Sequence, residues 1–133
     1  MAANITPIFP VAPSISIASL NAAVALTTRT PIVGTTGLTL LTAATTNGLR
    51  VDQISVKGQG TTVASNIFIW IYNGTNAYLY DEFDLLAVTA ANNTDSAIIQ
   101  KNYSNLILPA TYQLYVSQTV QTNVSVIAAG GSY

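Results

Sequence analysis

Residues 67–83 constrain this chain more than any other stretch. Ile67-Phe68-Ile69-Trp70-Ile71-Tyr72 is followed by Asn73-Gly74-Thr75-Asn76 and then by Ala77-Tyr78-Leu79-Tyr80-Asp81-Glu82-Phe83. Successive side chains of a strand point to opposite faces, so Ile67, Ile69 and Ile71 share one face and Phe68, Trp70 and Tyr72 the other. Asn73-Gly74 is a strong hairpin signal, because glycine accepts the positive φ of a tight turn. The return strand is aromatic as well, with Tyr78 and Tyr80 on one side and Leu79 on the other. Both faces of this hairpin are too apolar to leave in water. One suits a sandwich core. The other, aromatic face requires a cover from a loop, an arm or another chain.

The rest of the chain carries the same short-strand grammar. Ile15-Ser16-Ile17-Ala18-Ser19-Leu20 opens as an alternating strand, and residues 38–42 form another after the turn at Gly34–Gly37. Residues 21–30 have room for a helical turn at Ala22-Ala23-Val24-Ala25, which Thr27, Thr28 and Thr30 prevent from extending. In residues 49–57 the apolar positions switch from Leu49 and Val51 to Ile54 and Val56, which predicts a bulge at Asp52-Gln53. Further strands are expected at 97–100, 106–108, 112–117 and 124–126, with turns at 102–105 and before Leu49, and a Gly-Gly tail after Ala129. The spacing predicts an all-β fold, an antiparallel β-sandwich or jelly-roll-like domain of about eight strands.

Residues 1–14 differ in kind. Pro7, Pro10 and Pro13 recur every third residue, and each fixes φ and lacks a backbone donor. An extended, polyproline-like N-terminal arm is expected there, ahead of a domain spanning 15–133. Its Ile5, Ile8, Phe9 and Val11 are apolar and need burial. The arm either folds back along its own domain or docks on a neighbouring subunit. At full extension twelve residues reach about 40 Å, enough for either.

Composition narrows the function. Half of the 133 residues are hydrophobic, but only 7% are charged, against about 25% in ordinary proteins. The polar surface must therefore be built from Thr, Ser, Asn and Gln, which points to a chain that works in an assembly. Net charge is −1, and Arg29, Arg50, Lys57 and Lys101 are scattered, so no phosphate-tracking stripe exists and no nucleic-acid partner is expected. No apolar run has membrane-spanning length, so no membrane partner is expected. The start, Met1-Ala2-Ala3-Asn4, lacks the basic and apolar segments of a secretory signal, which predicts synthesis in the cytoplasm.

The chain has neither His nor Cys. That removes His-dependent nucleophilic triads and the usual transition-metal ligands. Asp81 and Glu82 are neighbours on one strand and point to opposite faces, so they cannot act together on one atom. A carboxylate pair from Glu82 and Asp52 would have to be brought within about 5–9 Å by the fold. No catalytic residue, cofactor site or metal site is assigned, and no enzymatic activity is expected. Phe68, Trp70, Tyr72, Tyr78 and Tyr80 instead offer a core, a protein interface or a platform for sugar rings.

Five segments stand out together: Ala3-Asn4-Ile5-Thr6-Pro7-Ile8-Phe9, Asn47-Gly48-Leu49-Arg50-Val51-Asp52-Gln53-Ile54, Tyr80-Asp81-Glu82, Leu108-Pro109-Ala110-Thr111-Tyr112-Gln113-Leu114 and the closing Ala129-Gly130-Gly131-Ser132-Tyr133. They resemble a family of small tailed-bacteriophage capsid decoration (cement) proteins. Thr111 stands where such proteins often carry Gly, and Ser132 where they often carry Asp. The resemblance implies a β-sandwich or jelly-roll unit on the outer surface of the virion head, bridging major capsid protein subunits. It also implies a homo-oligomer, and a trimer is expected because local threefold points are where three capsomers can be clamped. An adhesive head-fibre or tail-associated module that binds host glycans through its aromatics is the alternative.

Overall fold

The computed structural model describes residues 12–21 and 26–133. Ile5, Ile8, Phe9 and Val11 of the expected arm lie outside the described residues, as do Ala22 to Ala25 of the expected helical turn. Nine strands and no helix are found among the described residues: β1 (Ala12–Leu20), β2 (Ile32–Val33), β3 (Thr39–Thr42), β4 (Leu49–Gly58), β5 (Ser65–Tyr72), β6 (Asn76–Leu85), β7 (Ile98–Leu108), β8 (Gln113–Gln118) and β9 (Val124–Ser132). They form two antiparallel sheets, one ordered β1-β9-β4-β7 and the other β2-β6-β5-β8-β3.

The hairpin at 67–83 is the centre of this arrangement. Its strands β5 and β6 pair with each other, and outward from them β4 pairs with β7, β3 with β8 and β1 with β9. The pairs are nested, as though the chain were doubled at Gly74 and then wound up. Gly74 has φ +97°, and the Asn73 side chain accepts from the backbone N–H groups of Thr75 and Asn76, both at 2.9 Å. Asn73-Gly74 thus supplies both the backbone freedom and the local hydrogen bonds of the turn.

The two sheets share one core. Val51, Ile54, Val56 and Leu106 meet Ile67, Ile69, Phe83, Leu114 and Val116 across it. Ile67, Ile69 and Ile71 all face this core, as their alternation predicts. The predicted bulge is present too: Val51 and Gln53 flank a register break against both neighbours, with Asp52 the extra residue opposite β9. At that break the β9 backbone comes so close that a Cβ on Gly130 would lie 1.8 Å from the Arg50 carbonyl oxygen.

Three expectations are corrected. Residues 102–105 are not a turn but the middle of β7, where Tyr103, Ser104 and Asn105 lie opposite the bulge at Asp52. The Gly-Gly tail is the end of β9, paired on both sides, with Gly130 matched to Ser14 and Val51. Residues 12–14, expected with the arm, open β1, whose edge position tolerates Pro13.

Hydroxyl side chains take up backbone N–H groups where strands meet their loops. Ser65 Oγ accepts from the Val120 N–H at 3.1 Å, Thr119 Oγ1 from the Asn66 N–H at 2.9 Å, and Thr122 Oγ1 from the Val63 N–H at 3.2 Å. Buried backbone donors must be paired, and neutral side chains do this without the desolvation cost of a charge. A Thr- and Ser-rich, charge-poor composition is therefore compatible with a well-satisfied fold.

Candidate functional site

The outer face of the five-stranded sheet carries the aromatic row that needed a cover. Phe68 and Trp70 are fully buried, and with Ala77 they form a second cluster packed by Leu26, Ile32 and Leu38. The cover is thus supplied by the chain's own residues 26–38, ahead of β3. Trp70 is 0% exposed, and its indole Nε1 donates to Ser117 Oγ on β8 at 2.9 Å. Phe68 meets the Trp70 ring edge-on at a centroid distance of 6.1 Å, and the Arg29 guanidinium sits over the Phe68 ring at 5.1 Å. Arg29 in turn pairs with Glu82 at 2.8 Å. Tyr72 continues the row to the hairpin end, against Tyr115 at 5.5 Å. Of the five hairpin residues singled out, these three form the second cluster and its rim.

Tyr78 and Tyr80 are placed differently, at 44% and 43% exposure. Tyr78 lies opposite the inner-facing Ile71, and Tyr80 has the same parity; just after it comes a bulge in β6 that the sequence does not announce. Ile69 pairs with Asp81 and Trp70 with Leu79, which leaves Tyr80 as an extra residue between them. A bulge turns two consecutive side chains toward one side of the strand. Tyr80 and Asp81 accordingly both meet Tyr103 of β7, at the open side of the sandwich. The Tyr80 and Tyr103 rings lie 5.8 Å apart, and the Tyr103 hydroxyl donates to Asp81 Oδ2 at 2.6 Å.

Lys101, two residues before Tyr103, completes the cluster. Its ammonium pairs with Asp81 Oδ1 at 2.9 Å, donates to the Glu82 carbonyl and lies 4.8 Å from the centre of the Phe83 ring. The Glu82 backbone N–H also donates to Asp81 Oδ1, at 2.8 Å. Partial burial pushes the Asp81 carboxyl up. The Tyr103 hydroxyl, the Lys101 ammonium and the Glu82 N–H outweigh it and hold that carboxyl below its ordinary range. Burial, and then the bond to Asp81, push the Tyr103 phenol far up. Asp81 is therefore ionised and Tyr103 neutral at physiological pH.

The remaining acids do not converge. Glu82 points to the outer face of its sheet and pairs with Arg29, whereas Asp52 pairs with Arg50 at 2.7 Å on the outer side of the other sheet. The carboxylate pair considered from the sequence is thus split between two faces of the molecule. Arg29–Glu82, Arg50–Asp52 and Lys101–Asp81 together account for six of the nine charged side chains. No three potential metal ligands gather among the described residues.

The third surface is the outer face of the four-stranded sheet. Ile15 and Ile17 of β1 point away from the core at 71% and 64% exposure, beside Ala129 and Ile127 of β9. Gln53 and Ser55 of β4 continue the same rows, and the Gln53 amide donates to Asn102 of β7 at 3.1 Å. This face is broad and apolar on one side, amide- and hydroxyl-bearing across its middle. Its exposure was not foreseen as distinct from the arm, although the Ile-Ser-Ile alternation was the signal for it. Compared with family models, with curated proteins and with solved structures, the chain matches none of them.

Proposed function

We propose that this chain is a capsid decoration (cement) protein of a tailed phage, a structural protein without catalytic activity or cofactor. In this reading it sits on the outer surface of the head and bridges major capsid protein subunits as a homotrimer, with neither nucleic acid nor membrane as a partner. The domain is then a jelly roll. The nested pairing of β1 with β9, β3 with β8, β4 with β7 and β5 with β6 supports that, since a doubled and rolled chain pairs its strands in this order.

The observation that carries the reading is the sparsely charged, partly apolar outer face built on Ile15 and Ile17, where Arg50 and Asp52 neutralise each other. It directly follows, in sequence, the apolar residues Ile5, Ile8, Phe9 and Val11. A neutral surface gains little from long-range steering and suits a partner presented at high local density. A shell offers the same weak contact many times, and several linked contacts give avidity without one tight site.

The test is addition of the purified chain to expanded heads that lack decoration, followed by electron cryomicroscopy. Ordered density on the outer surface is expected, with occupancy reduced when residues 2–11 are deleted. Heads that remain bare with the full chain would overturn the reading. Full occupancy by the truncated chain would remove the arm from it.

A further inference from the structure

We propose that Tyr78, Tyr80, Asp81, Lys101 and Tyr103 form a binding site for a neutral saccharide. The inference stands apart from the decoration reading and does not depend on it. Three features of the cluster point to this ligand class.

The first is an exposed aromatic surface held in place. Tyr78 is paired with Ile71 of the inner row, so it leaves β6 on the same side as Asp81. Tyr80 shares the parity of Tyr78, and the bulge after it is what brings Asp81 to that side. Tyr80 rests against the half-buried Tyr103 with its ring tilted by 45°, so one side of Tyr80 is supported while 43% of the residue stays open to solvent. The C–H face of a pyranose ring is apolar and slightly positive, and it complements the negative face of a phenol ring.

The second is a fixed hydrogen-bonding capacity beside that ring. A carboxylate offers about four lone-pair positions. Among the described residues, Asp81 Oδ1 uses two, for Lys101 and the Glu82 N–H, and Oδ2 uses one, for Tyr103. One acceptor position on Oδ2 is left. Lys101 uses two of its three N–H donors, on Asp81 and the Glu82 carbonyl, and its side chain is 39% exposed. An ionised acceptor and an ionised donor, already oriented by their other bonds, match neighbouring sugar hydroxyls, each of which both donates and accepts.

The third is charge. Asp81 and Lys101 cancel, and Glu82 is taken by Arg29 on the opposite face of the sheet. A sugar acid would place its carboxylate against Asp81, so the site favours uncharged rings. A proline-rich peptide also stacks on tyrosines, but proline lacks an N–H and leaves the free position on Asp81 Oδ2 without a donor.

The experiment screens the full chain on an array of neutral, sialylated and sulfated glycans, then titrates the strongest neutral ligand calorimetrically. Binding to neutral glycans is expected, roughly tenfold weaker in Tyr80→Ala and in Asp81→Asn, and retained in Tyr80→Phe. Thermal melting of each variant separates lost binding from lost fold. Ile17→Ser, which alters an exposed apolar side chain of β1 at the far edge of the sheet from β7, should bind as the parent does. No binding on the array, binding confined to charged glycans, or affinity unchanged in both Tyr80→Ala and Asp81→Asn would overturn the proposal. So would capture of a proline-rich peptide by the same tyrosines in the absence of saccharide binding. None of these outcomes bears on attachment to heads.

Discussion

The indole N–H of Trp70 and the hydroxyl of Ser117 meet at 2.9 Å inside the molecule, both residues essentially without exposure. Phe68 is the residue directly opposite Ser117 and Tyr115 is the one opposite Trp70, so the bond runs diagonally across the β5–β8 ladder. It belongs to the outer aromatic layer, not to the core between the sheets. A buried indole needs a partner for its one donor, and a serine two positions along the neighbouring strand provides it without adding bulk. Ser117→Ala should therefore cost about 1–3 kcal/mol, the penalty of an unpaired buried N–H. Trp70→Ala should cost about 3–5 kcal/mol. Urea denaturation midpoints distinguish the two, and a shift near zero for Trp70→Ala would show that the crossing over residues 26–38 does not bury the ring in solution.

Thr111 has φ +74°, and the Tyr112 N–H bonds back to the Pro109 carbonyl at 3.2 Å. A β-branched residue at the third position of this turn is strained, because its Cβ crowds the backbone in the left-handed region. Thr111→Gly relieves the clash and loses part of the gain to unfolded-chain entropy. The expected net effect is stabilisation of up to about 1 kcal/mol, read as a rise of a few degrees in melting temperature. A fall in melting temperature would contradict the strained turn.

Gly130 offers the opposite case. Its conformation is not unusual, but an added Cβ would meet the Arg50 carbonyl oxygen at 1.8 Å and the Val51 Cα at 2.9 Å. Both are backbone atoms of the strand next door, beside the bulge at Asp52, and neither can move without breaking the β4–β9 register. Gly130→Ala is expected to destabilise by about 3 kcal/mol or more, near the top of the overpacking range. Amide hydrogen exchange should show the loss of protection concentrated in β4 and β9. A uniform or absent change would mean that the strands separate easily at this point.

How much of this was legible depends on whether apolar parity changes when the backbone does. In β4 the switch from Val51 to Ile54 marks the bulge, and the bulge is there. In β6 the apolar residues Leu79, Phe83 and Leu85 all share odd parity. Leu79 nevertheless packs in the outer cluster while Phe83 and Leu85 pack in the core. The bulge at Tyr80 is silent in the sequence, and so the cluster of Tyr80, Asp81 and Tyr103 was invisible with it. Residues 102–105 misled for a related reason: Asn102, Ser104 and Asn105 favour turns, yet the pairing of residues 98–102 and 106–108 with β4 on either side carries the strand through them. That the hairpin's aromatic face needed a cover was legible. That residues 26–38 provide it depends on a long-range packing choice, for which periodicity has no signal.

Asp81 sets the response of the fold to acid. Its carboxyl is held below the ordinary range by Tyr103, Lys101 and the Glu82 N–H, against the effect of burial. The folded form therefore releases the proton more readily than the unfolded chain, whose aspartates titrate near about 3.9. The resulting stabilisation is fully present above the unfolded value and is lost as the pH falls through the lower, folded one. Asp81→Asn should be less stable than the parent at neutral pH, and the difference should shrink below about pH 4, as the unfolded parent and then, at lower pH, the folded parent take up the proton. Denaturation midpoints of both proteins across the acid range provide the check. A difference that stays constant down to the most acid sample would place the contribution of Asp81 in packing instead of in its charge.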